Sequence, residues 1–274
     1  LNRALWRKAV RDAKNQLLMS SLLLVLFGWV FVWLMSLFRV GALGKILTLL
    51  PGFVEPLVGV PLAQLATPAG RVSVLYVHVI TLLVCIGWAI GRGSDTVSGE
   101  IGRATMDLIL TLPVRRVAVL LVPAVVATLG TAVLVLSVWA GSWLGLWTVG
   151  WRREVSIWLF LPGAANLFAM IFCLTGLTTF LSSWDHDRWR TIWLGGGFFI
   201  LSSILKMIAR LWEHGAWLKY LSFLTAFEPQ QLILMQQGSR SLSLRFDAAL
   251  IGLGLLGYLA AALVFSRRDI PVPR

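Results

Sequence analysis

The chain has 274 residues, 58% of them hydrophobic and 13% charged, with a mean hydropathy of +0.83. A soluble globular domain is roughly half apolar and about a quarter charged, so this balance excludes a soluble enzyme and a disordered protein and points to a polytopic membrane protein. The formal net charge is +12, but the basic residues flank apolar runs and form no separate domain, so anionic lipid headgroups account for them and nucleic acid is not an expected partner.

Residues 1–16 read as an amphipathic helix. Leu1, Leu5, Ala9, Ala13 and Leu17 recur four apart, while Arg3, Arg7, Lys8, Arg11 and Lys14 lie mostly off that line. This pattern predicts an interfacial helix anchored by Trp6, with a cytoplasmic extension of the first span as the alternative. A bilayer span needs about 20 mostly apolar residues, and the stretches 17–38, 72–91, 117–140, 156–181, 192–209 and 246–265 qualify. The first is too long for the apolar core of a cleavable signal. The third apolar run continues to Val149, so it must tilt, break near Gly141 and Gly145, or extend outside the bilayer. The expected fold is therefore an all-α integral membrane protein of six transmembrane helices, a single transmembrane domain over 1–274.

Basic residues are about twice as dense in the segments on the side of the two termini, which predicts that both termini are cytoplasmic. Residues 39–71, with Pro51, Pro56, Pro61 and Pro68, then form an irregular outer loop with a short helix across 42–50. Residues 213–245 form a second outer segment, whose apolar stretches are too short to span and fit a re-entrant hairpin or a surface lid. The first five spans contain no acidic residue, and Asp247 touches only the edge of the sixth. Ion-coupled transporters keep ionisable groups at the midplane, so that machinery is not expected here.

The segment 92–116 carries the most information. Ser94, Asp95 and Ser98 are N-cap candidates, Glu100 falls in a first turn, and Pro113 is a stop, which predicts one helix over 95–112. Ile101, Thr105, Leu108 and Leu112 would line one face, with Glu100, Arg103 and Asp107 on the other. A charged amphipathic helix between two spans suits docking into a groove of a soluble partner.

The run Gly91, Glu100-x-Gly102, Thr105-Met106-Asp107-Leu108, Leu110, Leu112-Pro113 and Arg115 resembles the signature loop of ABC transporter permeases of the type-2 exporter family. Phe265 to Ile270 after the last span, the six spans and the basic N-terminal helix are similar too. The chain departs from the family in placing Arg103-Ala104 between Gly102 and Thr105, where Gly and Thr are commonly adjacent. The resemblance implies a permease subunit that moves substrate by alternating access, driven by a separate ATP-binding subunit that carries ATP and Mg. It implies a second permease chain, as homo- or heterodimer, and a place in a cell membrane, the prokaryotic cytoplasmic membrane. The loop between spans two and three would be the coupling helix, with Glu100, Arg103, Met106, Asp107 and Leu108 as the ATPase-coupling surface and Arg115 and Arg116 as headgroup anchors. Spans two and five would line the substrate path, with Tyr76, His78, Phe198 and Phe199 as candidates.

No catalytic, cofactor-binding or metal-binding residue is expected on this chain. The stretch Gly41 to Ile46, with Gly44 and Lys45, lacks the leading glycine and the hydroxyl of a phosphate-binding loop. Cys85 and Cys173 read as small buried apolar residues. Asp185-His186-Asp187 reads as a solvated turn. Lys206 and Arg210, four apart, are expected to snorkel to the headgroups. Gly195 to Gly197 and Gly252-x-Gly254-x-x-Gly257 are expected to let helices approach closely. The alternatives from other classes are an ion-coupled secondary transporter and a non-transporting assembly or sensor subunit.

Overall fold

A computed structural model describes residues 3–38, 49, 51–111, 116–235 and 239–267. The described residues form helices and turns with no strand. In chain order the α-helices are α1 (Arg3–Leu37), α2 (Val54–Val58), α3 (Leu62–Leu65), α4 (Pro68–Ser73), α5 (Val79–Asp95), α6 (Ser98–Gly102), α7 (Met106–Leu110), α8 (Arg116–Val149), α9 (Leu161–Trp184), α10 (Arg188–Leu211), α11 (Pro229–Leu234) and α12 (Ser239–Arg267). Among the described residues, six helical stretches are long and apolar enough to cross a membrane: Arg3–Leu37, Pro68–Asp95, Arg116–Val149, Ile157–Trp184, Arg188–Leu211 and Ser241–Arg267. Each contains, to within a residue, one of the six expected spans, and the pattern is that of a multi-pass membrane protein. Apart from Leu49, the expected helix across 42–50 lies outside the described residues, as do the Gly41–Lys45 stretch, Pro113 and Arg115.

The spans alternate in direction. The start of α1 and the end of α12 meet at one end of the bundle, where Leu5, Val97, Met106, Val119 and Phe265 share an apolar cluster. At the far end, the end of α1 meets α4, and the end of α10 meets residues 57 and 227–228. α9 is the central helix. Leu167, Met170, Ile171 and Leu174 are fully buried, and it packs against α5, α8, α10 and α12. An all-round apolar sequence suits such a position.

Glycine sets the closest crossings. A Cβ on Gly176 of α9 would lie 2.3 Å from the carbonyl oxygen of Gly254 in α12, and one on Gly257 would lie 2.7 Å from Gly176. The expected packing role of Gly254 and Gly257 is therefore what the bundle uses, whereas Gly252 faces open space. On α8, Gly141 meets Gly28 of α1, and Gly145 accommodates Val32. In hydrocarbon, where apolar side chains gain nothing by leaving lipid, this close approach is what holds helices together.

The structure decides three points that the sequence left open or read otherwise. No boundary occurs near residue 16: α1 runs unbroken from Arg3 to Leu37, so residues 3–16 extend the first span and form no separate interfacial helix. Its N-terminal part is held in line because Leu5 and Ala13 are buried against the rest of the chain. The third span does not break at Gly141 or Gly145 but continues to Val149, because both glycines are spent on contact with α1. At about 50 Å it exceeds a ~30 Å hydrocarbon core and must tilt or protrude.

The second span is interrupted. α4 and a 3-10 turn over Val74–Tyr76 end at Val77, and α5 starts afresh at Val79. His78 is extended (ψ 141°), and its Nδ1 accepts the N–H of Ile80 at 3.2 Å, capping α5. Just before this break, Arg71 is 2% exposed and donates from Nη1 to the carbonyls of Met35 and Phe38 at 2.9 and 2.7 Å. A cation there satisfies the carbonyls that end α1.

The Gly176 crossing is testable. Gly176→Val is expected to destabilise the bundle by about 1–3 kcal/mol or more through overpacking. Gly197→Ala, which meets nothing within 4 Å, is expected to be neutral. Thermal unfolding of the two variants in detergent reads this directly; equal shifts would refute the assigned crossing.

Candidate functional site

The segment joining the second and third spans folds against the bundle at the end that carries the termini. Its entry is fixed by hydroxyls. Ser182 of α9 accepts the N–H groups of Val97 and Ser98 at 3.2 and 2.9 Å and donates to the carbonyl of Ser94 at 3.0 Å. Ser98 Oγ lies 3.1 Å from Thr191 Oγ1 of α10. These bonds satisfy N–H groups that the start of α6 leaves open.

The expected single helix over 95–112 is two short ones. α6 ends with the Thr105 N–H on the Glu100 carbonyl (3.0 Å) and the Ala104 N–H on the Ile101 carbonyl (2.9 Å). This pair of bonds requires a left-handed residue between them, and Ala104 takes it at φ 55°. A non-glycine residue is disfavoured there by about 1–2 kcal/mol. The position just before Thr105, where the resemblance expects glycine, is therefore the one whose backbone asks for glycine. The turn redirects the chain, so the 3.6-residue periodicity read across it does not describe one face.

Glu100 lies inside this turn. It is 7% exposed. Its Oε1 accepts from Lys8 of α1 and from Arg103 Nη2 (2.7 Å), and its Oε2 accepts from Thr105 Oγ1 (2.6 Å). Lys8 also reaches Asp12 at 3.1 Å. Arg103 Nη1 donates to Asp95 at 2.7 Å, and Asp95 pairs with Arg92 at 3.1 Å and Arg188 at 3.5 Å. Alternating charges thus run without a gap from α1 through α6 and α5 to α10. Burial pushes the Glu100 carboxyl up, but the bonds from Lys8, Thr105 and Arg103 outweigh it and hold it below the ordinary carboxylate range. Burial lowers the Arg103 guanidinium, and its bonds to Asp95 and Glu100 turn the net effect upward.

Beneath this ionic layer, Met106 and Ile109 of α7 are buried with Leu5, Val119, Leu120 and Phe265. The expected coupling residues are therefore divided. Glu100 and Met106 face the interior, the side chain of Arg103 is 41% exposed, and Leu108 is 68% exposed. The side chain of Asp107 lies outside the described residues.

The expected path residues do not converge. Tyr76 is fully buried, stacked on Phe160 with centroids 6.0 Å apart, its hydroxyl 3.4 Å from Ser142. His78 sits against Phe27 and Phe31. Phe198 stacks on Phe223 at 5.3 Å. Phe199 meets the same Phe223 edge-on at 6.5 Å and lines a cavity of about 460 Å³ at the far end of the bundle.

That cavity holds what residue pattern alone missed. Lys206 and Arg210 do not snorkel outward: both turn in to Glu228, Lys206 at 3.0 Å, and they also donate to the carbonyls of Phe227 and Leu57. Residues 223–234 fold back into the bundle to make this possible, with Phe223, Leu224, Phe227 and Ile233 in the core. Asn166 of α9 pins the fold-back by donating to the Ala226 carbonyl (2.9 Å) and accepting the Glu228 N–H (2.9 Å). A lone amide in an apolar run was the signal for it. At the opposite end, Asp185 accepts the N–H groups of His186 and Asp187 at 2.7 and 3.2 Å, which closes that turn on itself.

No family model matches the chain, and no curated protein matches it.

The lowered carboxyl of Glu100 gives a pH dependence with a definite sign. Its contribution is complete above the unfolded carboxylate value, near 4.5, and is lost as pH falls through the lower folded value. Hydrogen-exchange protection of the 98–105 backbone, referred to the intrinsic rate at each pH, is expected to fall with acidification below pH 4.5 in the wild type. Glu100→Gln is expected to exchange fast already at neutral pH and to lose this pH-dependent step. Wild-type protection in the glutamine variant would contradict the assignment.

Proposed function

We propose that this chain is the membrane-spanning permease subunit of an ATP-driven exporter of the type-2 ABC class. In this reading both termini and the 92–116 segment are cytoplasmic, and the protein sits in the prokaryotic cytoplasmic membrane. ATP is hydrolysed on a separate ATP-binding subunit, and two permease chains enclose the path.

The observation that carries the reading is the mounting of the segment between spans two and three. A partner that pushes on this segment needs an apolar handle outside and a stiff connection inside. Leu108 provides a handle, being 68% exposed between the buried Met106 and Ile109. The Lys8–Glu100–Arg103–Asp95 chain provides the connection to α1, α5 and α10. Force applied at α7 would then move several spans together, as alternating access requires. Glu100 acts here through Lys8 and Arg103 as a brace, and the contact surface falls to Leu108 and Arg103.

One observation favours an ion-coupled transporter instead. Glu228 brings a carboxylate into the bundle beside a cavity, which the distribution of acidic residues along the chain did not anticipate. Its two cationic partners leave it with no need of a coupling ion, and this keeps the exporter reading in front.

Purification from native membranes in mild detergent tests the choice. A co-purifying ATP-hydrolysing subunit is expected, with Leu108→Asp losing most of it, while the variant chain keeps the wild-type elution volume and thermal unfolding. A chain that purifies without any ATPase, under conditions that retain other membrane complexes, would overturn the reading.

A further inference from the structure

We infer that the groove between α8, α9 and α12 binds an amphipathic organic cation, its charge held by Asp247 and its apolar body by the aromatic walls. The groove encloses about 560 Å³, within the range of small-molecule sites. Leu136, Trp139, Trp158, Ala164 and Phe168 are among its walls, and Asp247 is the one ionisable residue among the described residues that line it. Leu136 and Trp158 at its rim are 60% and 66% exposed. The mouth therefore opens on the outer face of the bundle, and a ligand enters from the bilayer.

Charge complementarity sets the sign of the ligand. Among the described carboxylates that are not exposed, Asp95, Glu100, Asp185 and Glu228 each pair with a lysine or arginine. Asp247 does not. Among the described residues its two oxygens accept only from neutral donors, Asn166 Nδ2 at 2.8 Å and Ser243 Oγ at 3.1 Å. A carboxylate at the edge of hydrocarbon with no cation is an expensive arrangement that a ligand cation would relieve.

A further feature points the same way. Trp139 and Trp158 lie with ring centroids 5.6 Å apart and offer π faces to a cation. A carboxylate and an otherwise apolar, aromatic wall are the parts that hold a lipophilic amine or onium ion. The groove lies apart from the α6–α7 segment, and binding there requires no ATPase, so the inference does not rest on the exporter reading.

The test uses the purified full chain in maltoside micelles and two probes of one shape and opposite charge, tetraphenylphosphonium and tetraphenylborate. The cation is expected to bind the wild type at least about tenfold more tightly than the anion. Asp247→Asn, which keeps the bonds to Asn166 and Ser243 feasible, is expected to erase that preference. Ala164→Phe is expected to fill the groove and block the cation. Displacement of the cation by added phosphatidylethanolamine would identify a lipid amine headgroup as the natural occupant, and its failure a free organic cation; both carry the same chemistry. Equal binding of the two probes by the wild type, which needs no variant to fold, would overturn the inference. So would wild-type affinity for the cation in an Asp247→Asn chain of unchanged thermal unfolding.

Discussion

The carboxylate of Glu100 connects parts of the chain that are far apart in sequence. Lys8 approaches it from the first helix, Arg103 and Thr105 from its own turn, and Arg103 passes the connection to Asp95 and through it to Arg188. An enclosed carboxylate deprived of these donors would be strongly unfavourable. Its presence therefore fixes several other features. α1 must continue as a helix beyond the apolar stretch so that Lys8 can arrive. α6 must end in a left-handed turn so that Thr105 can reach back. α7 must then lie flat on Leu5, Val119 and Phe265.

The far end solves the same problem with a different set of groups. Lys206 and Arg210 share Glu228, Asn166 holds the chain that delivers Glu228, and Arg71 donates to the carbonyls that end α1. Between the two ionic ends, the bundle relies on glycine contacts and on small hydroxyl side chains that bond to their own helices, such as Thr175, Thr178 and Thr179 of α9. Rigid ends and a middle held by close packing suit a molecule whose helices shift as bodies. Asp247 stands outside this scheme because its partners are neutral.

The spans were legible in the sequence because length and hydropathy are local properties. The packing glycines Gly254 and Gly257 were legible too, since glycines three residues apart on one helix face have few other purposes inside a span. The interruption at His78 was not, because Val74 to Ile80 is as apolar as any continuous helix and only the side-chain cap on Ile80 reveals it. Lys206 and Arg210 near the end of a span look like snorkelling residues until a carboxylate 18 residues further on folds back between them. The Glu100 site was half legible. The residues were named, but helical periodicity carried through Ala104 assigned Glu100 to an outer face and the resemblance placed Met106 on a coupling surface, whereas both are buried; a left-handed residue in an alanine gives no warning. Arg103 and Leu108 remain on the surface where they were expected.

The central claim is that Lys8 and Glu100 act as one unit joining α1 to the segment between spans two and three. A double-mutant cycle with Lys8→Met and Glu100→Gln, read by hydrogen exchange of the 98–105 backbone, measures it directly. Coupled partners give a non-additive cycle, with an interaction energy of about 0.5–3 kcal/mol and little further loss in the double variant. Additivity within about 0.3–0.5 kcal/mol would mean that the two residues act independently and that the brace does not exist.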